Sequence, residues 1–135
     1  MRSRWADRVR AGAVALTVSL PMLLSPSAGL GQPVLVWVQS SPLAGFQYYA
    51  GEALWDTFAV GDRVELDRDP DNRHDGRAIR VRYRGQMIGF LPRAENDAVA
   101  AAMDRGAPLE GRIGALARHR DPWQRVRIEI WMRVR

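Results

Sequence analysis

The chain has 135 residues with no cysteine and no lysine, 20 arginines against 15 acids, and a formal net charge of +5. Without cysteine, disulfides, thiolate metal sites and thiol catalysis are excluded, and stability has to come from packing alone. Four arginines against Asp7 in the first thirty residues leave 16 arginines and 14 acids over residues 32–135, too even a balance for charge alone to name nucleic acid as the partner.

In chain order, Arg2, Arg4, Arg8 and Arg10 precede the uncharged run AGAVALTVSLPMLL over residues 11–24. A basic start, a short apolar stretch and then small residues form a signal-peptide pattern. Fourteen residues fall short of the roughly 20 a helix needs to cross a bilayer. Residues 1–31 therefore read as a signal peptide, cleaved after Gly31 or Gly29, and the mature chain as periplasmic or secreted. The alternative is an N-terminal anchor that stays attached. Residues 32–135 suffice for one domain with one core.

VLVWVQ (34–39) is rich in β-branched and aromatic residues and predicts a buried strand. Gly45, Gly51 and Gly61 then punctuate a segment expected to hold loops and short strands. RVELDR (63–68) sets Val64 and Leu66 against Arg63, Glu65 and Asp67. AIRVRYRG sets Ile79, Val81 and Tyr83 against Arg80, Arg82 and Arg84, the strict alternation of a half-buried strand. Arg84, Gly85 and Gln86 connect it tightly to QMIGFL, which predicts a hairpin ending before Pro92. ENDAVAAAMDR is the one clear helix, with Glu95 and Asp97 near its start, Arg105 at its end and Gly106 beyond. LEGRIGAL and QRVRIEIWM are the last strands, the second directing Val126, Ile128, Ile130 and Met132 to one side. The fold expected is mainly β: about six short strands and one helix in a small closed or partly closed barrel, since short strands need closure or cover for their edges.

The densest polar chemistry lies in DPDNRHDGRAI (69–79), three carboxylates, a histidine and two arginines in eleven residues. A calcium loop is excluded by register, because a start at Asp71 puts Arg73 at position three and Arg82 at position twelve. Zinc lacks ligands, the only other histidine being His119 beside Asp121. Catalysis lacks a nucleophile: Ser40 and Ser41 sit in no nucleophile elbow, and no phosphate loop is present. Pro70, Asn72, Asp75 and Gly76 are turn formers. What remains is recognition, in which turn acids accept hydrogen bonds, arginines meet phosphates and Tyr48, Tyr49, Phe90 and Trp123 offer stacking faces. The bland counterpart of each ring is a half-buried core residue, and that of the arginine stripe is a solvated sheet face.

Three motifs in order, LAGFQYYAGE, the DPDNRHDGRAI loop and the IGFLP turn, resemble the HIRAN domain, a module of helicase-like chromatin remodellers that also occurs alone in bacteria. The similarity runs from about Gln39 to Met132. It implies an OB-like β-barrel, no enzyme activity, no cofactor and no metal, and capture of the 3′ end of single-stranded DNA. Carried over by motif, Tyr48 is a stacking ring, His74 occupies the second aromatic position, Asp75 accepts from the 3′ hydroxyl, Phe90 lines the pocket and Trp123 replaces a further pocket aromatic. Gln47 stands where the family's remodeller has an arginine, and His74 where it has tyrosine; both departures imply weaker binding. Protonation of an imidazole would add attraction for DNA as pH falls. Arg77, Arg80 and Arg93 are the candidate phosphate contacts. The rival expectation is an envelope interaction module that takes a protein, glycan or other polar ligand on the same rim.

Overall fold

Period-two alternation builds the sheet. In the computed structural model, which describes residues 29 and 31–135, six strands carry it: β1 (Val34–Pro42), β2 (Arg63–Asp69), β3 (Ala78–Tyr83), β4 (Gln86–Phe90), β5 (Leu109–Leu116) and β6 (Val126–Val134). They pair antiparallel in the order β1-β6-β5-β2-β3-β4. The signal segment or anchor expected over residues 1–31 lies outside the described residues, except for residues 29 and 31. No described helix is long and apolar enough to cross a membrane.

The alternating positions fall as expected. Val64, Ile79, Val81, Tyr83, Ile113, Val126, Ile128 and Ile130 are buried, while Arg63 and Glu65 point outward. Arg84 (φ 49°) and Gly85 (φ 78°) make the tight β3–β4 turn, a left-handed pair that suits the twist of a hairpin. The helix, α2, spans Asp97–Asp104 after the short α1 (Gly51–Leu54). Val99 and Ala100 of α2 are buried. Gly106 (φ 78°) ends α2 as a glycine past a helix end should, its N–H donating to the Met103 carbonyl at 2.9 Å.

Three expectations are corrected. VLVWVQ, expected as a buried strand, lies in β1, an edge that pairs only with β6 and leaves Val34, Val36 and Trp37 exposed. The sheet does not close into a barrel: β1 and β4 are its edges, and among the described residues the chain beyond β1 reaches β4 through an isolated bridge, Ala44 with Phe90, and a bond from Ala50 N–H to the Met87 carbonyl at 3.1 Å. Ala44 N–H donates to the Phe90 carbonyl and Phe90 N–H to the Ala44 carbonyl, both at 2.9 Å. The pairing stops there because Gly45 (φ 75°) turns the chain out of extended geometry one residue later. Gly89 makes the bridge feasible, since a Cβ on it would run into the Ala44 carbonyl oxygen.

The segment from Phe46 to Thr57 holds helical turns rather than short strands. A 3₁₀ turn at Phe46–Tyr48, α1 and a second 3₁₀ turn at Trp55–Thr57 follow one another. Such short turns have no stability of their own, and packing holds them. Phe46 is buried and meets Trp55 edge-on at 5.9 Å, and Trp55 meets Phe58 at 6.2 Å. Gly51 is required because a Cβ there would overlap the Phe46 ring.

Candidate functional site

The β2–β3 loop is organised by its own side chains. Asn72 Oδ1 accepts from the N–H groups of His74 (3.0 Å) and Asp75 (3.2 Å), and Asn72 Nδ2 donates to Asp69 Oδ2 at 3.1 Å. Asp75 Oδ1 accepts from the Arg77 N–H at 2.9 Å, and the Asp75 carbonyl accepts from Ala78 N–H as β3 begins. Asp75 Oδ2 accepts from Nδ2 of Asn96, 21 residues on, at 2.6 Å. Asn96 is buried just before α2, so this bond ties the loop to the helix start.

These contacts set the charge of Asp75. Burial pushes its carboxyl up, but the Arg77 N–H, the Asn96 amide and the nearby charges of Arg93 and Arg77 outweigh burial and hold it below the ordinary aspartate value. The carboxylate is thus ionised and oriented, and each oxygen keeps a lone pair for a further donor.

Around the end of β4, three segments meet. Phe90 is opposite Arg80 of β3, Leu91 N–H donates to the Ile79 carbonyl at 3.0 Å, and Ala44 bridges Phe90 from the other side. The Tyr49 ring packs edge-on against Phe90, centroids 5.9 Å apart. Tyr48 is left 78% exposed beside it in sequence, at the end of the 3₁₀ turn. Trp123 sits in a third 3₁₀ turn, Pro122–Gln124, whose start is capped by Asp121 accepting from Trp123 N–H at 3.0 Å. That turn packs against Phe46–Tyr48, and Trp123 is 46% exposed.

The other expected residues divide into free and engaged. Gln47 and His74 are exposed and make no side-chain hydrogen bond among the described residues. Arg93 is exposed and unpaired among the described residues, with its charge felt at Asp75. Arg77 is held by Asp97 at 3.0 Å. Arg80 is clamped between Asp67 (3.1 Å) and Asp69 (2.7 Å), so its guanidinium serves the outer face of β2 and β3. Asn72, read as a turn former, is the organiser of the loop, while Tyr49 and Asn96 acquire roles that no local pattern assigns them: a support for Phe90 and the second anchor of Asp75. Among the described residues no three His, Asp or Glu side chains group as a metal site would require.

A family model for the HIRAN domain matches residues 37–135. Among solved structures, a protein from Lactobacillus plantarum is 26% identical with a TM-score of 0.66, over 77% of this chain and 100% of that one. The HIRAN domain of human HLTF is also 26% identical, with a TM-score of 0.53, over 73% of this chain and 77% of that one. No curated protein matches the chain.

Proposed function

Since the chain belongs to the HIRAN domain family, we propose that it is a non-enzymatic binding domain for nucleic acid, and that its rim captures the free 3′ end of a single strand. The observation that carries this reading is the Asp75 carboxylate, oriented by the Arg77 N–H and the Asn96 amide and left ionised with the charge of an unpaired Arg93 nearby. In this reading the terminal bases stack on Tyr48 and His74, with Phe90 braced by Tyr49 beneath them. Every base has a flat face, so stacking of this kind tolerates any sequence.

The terminal 3′ hydroxyl donates to the Asp75 carboxylate. Because the Arg77 N–H and Asn96 already hold that carboxylate in place, little ordering is left to be done at binding. Arg93 meets the neighbouring phosphate, Gln47 offers a neutral donor where the family's remodeller has a cation, and Trp123 extends the aromatic surface. Arg80 acts at longer range, its guanidinium being shared with Asp67 and Asp69, while Arg77, whose pair with Asp97 is open to water, can turn to a phosphate. Export, with cleavage after Gly29 or Gly31, or retention as an anchor belongs to the same proposal, and N-terminal sequencing of the native protein decides between the two.

Titrating a short labelled strand that ends in a 3′ hydroxyl, and the same strand ending in a 3′ phosphate, tests the capture directly. The phosphate removes the donor and sets a second negative charge against Asp75. A charge-assisted hydrogen bond of about 1.5–3 kcal/mol predicts binding at least about tenfold tighter for the hydroxyl end. Equal affinity discards end capture.

A further inference from the structure

Beyond the rim, a groove of about 610 Å³ runs between the 3₁₀ turn Trp55–Thr57 and the loop that joins β5 to β6. Its walls carry Arg118, Arg120 and Arg125, and its floor carries Phe46 and Trp55. We infer that this groove holds the phosphodiester backbone of a single strand, on the 5′ side of the end taken by the rim. The inference rests on the proposed capture for its direction and on the groove itself for its chemistry.

The three arginines do different work. Arg125 is a strut: it donates to the His119 carbonyl at 2.7 Å and to Glu52 Oε1 at 2.7 Å, and its guanidinium carbon lies 5.6 Å from the centre of the Phe46 ring. It shapes the loop and neutralises Glu52. Arg118 lies 5.6 Å over the Trp55 ring and meets Asp56 at 2.9 Å, with side chains 78% and 88% exposed. A pair so open to water is worth little, so a phosphate can take the place of Asp56 at small cost. Arg120 is exposed and makes no ion pair among the described residues. Two exposed cations along an open trough suit an extended polyanion, because a backbone presents one phosphate after another.

Continuity with the rim comes from the Phe46–Tyr48 turn. Phe46 forms part of the groove floor while Tyr48, two residues on, is exposed at the rim, and the turn bearing Trp123 packs against the same three residues. A strand whose last base lies on Tyr48 therefore passes this turn on its way to Arg118 and Arg120.

The test compares the full chain with its Arg118→Ser/Arg120→Ser variant, using a trinucleotide and a strand of about twelve nucleotides, each with a 3′ hydroxyl and with a 3′ phosphate. Both positions are exposed, and matching melting curves for the two proteins establish that the fold is intact. The variant is expected to weaken binding of the long strand and to reduce its logarithmic salt slope by about 0.7 for each phosphate no longer neutralised, about 1.4 for two. Trinucleotide binding and the preference for the hydroxyl end should stay as they are. Equal weakening of both lengths, or none of either, overturns the groove assignment. If the native chain shows no end preference but keeps the length gain and its dependence on the two arginines, the groove stands and end capture falls.

Discussion

Glu110 and Asp75 both lie in arginine-rich surroundings, and they are treated in opposite ways. Glu110, on β5 with its side chain only 9% exposed, is met by Arg112 at 2.6 Å, Arg133 at 3.1 Å and Arg63 at 3.4 Å. Burial pushes its carboxyl up, but the hydrogen bonds and charges of these arginines carry it below the ordinary glutamate value. Asp75 is held by neutral donors, the Arg77 N–H and the Asn96 amide, while the Arg77 guanidinium is engaged by Asp97. Arginines that close directly on an acid cancel it and join strands. An acid fixed by neutral groups stays charged and open to a partner. That difference separates a structural cluster from the proposed binding site on one small sheet.

The largest effect expected on either side is at a backbone contact. Gly89→Ala places a methyl group against the Ala44 carbonyl oxygen, with Leu43 side-chain atoms 2.9 Å away and φ at 155°. A loss of about 3 kcal/mol is expected in thermal or denaturant unfolding. Gly111→Ala, beside the Glu110 cluster, meets Val64 Cγ2 at 2.7 Å and Leu66 Cδ2 at 3.1 Å. Side chains give way more easily than backbone, so a loss of about 1 kcal/mol is expected there. Equal losses would mean that the bridge at the rim is no tighter than the packing around Glu110.

Tyr48→Ala should leave stability unchanged, because the ring is 78% exposed, and weaken single-strand binding by about 1–3 kcal/mol for a stacked base. A variant that unfolds early and binds normally would place Tyr48 on the structural side of the comparison. Glu110→Gln is expected to show the reverse, a loss of about 1.5 kcal/mol of stability with oligonucleotide affinity unaltered.

The smallest effect is in pH. Asp75 and Glu110 both have folded values below their ordinary ones, so the stability they contribute is present above the unfolded values and is lost as pH falls through the lowered folded values. Unfolding curves measured from neutral into acid pH should lose stability across that window. Glu110→Gln and Asp75→Asn should each flatten the decline, and an unchanged acid slope in both would show that neither carboxylate is held as its partners imply.

Much of the sheet was legible in the residues because alternation is local. The hairpin at Arg84-Gly85 and the end of α2 at Gly106 follow from glycine and turn chemistry on the spot. The open sheet was not legible, since one glycine's backbone angle at Gly45 decides whether β1 and β4 continue to pair. The turns from Phe46 to Thr57 were hidden for a related reason: Gly51 reads as loop punctuation, yet it makes room for the Phe46 ring. Of the site, the acidic loop and the exposed Tyr48 could be named from the motifs. The Asn96–Asp75 bond across 21 residues, the Tyr49–Phe90 packing and the clamp on Arg80 depend on tertiary geometry and strand register, which no short motif carries.

Recognition at the Asp75 rim and not at the Glu110 cluster can be mapped by following amide chemical shifts while a short single strand with a 3′ hydroxyl is added. Tyr48, His74, Asp75, Phe90 and Arg93 are expected to shift together and saturably, while Arg63, Glu110, Arg112 and Arg133 stay in place. Shifts centred on Glu110 and its arginines, with Asp75 and Tyr48 unmoved, would contradict recognition at the rim.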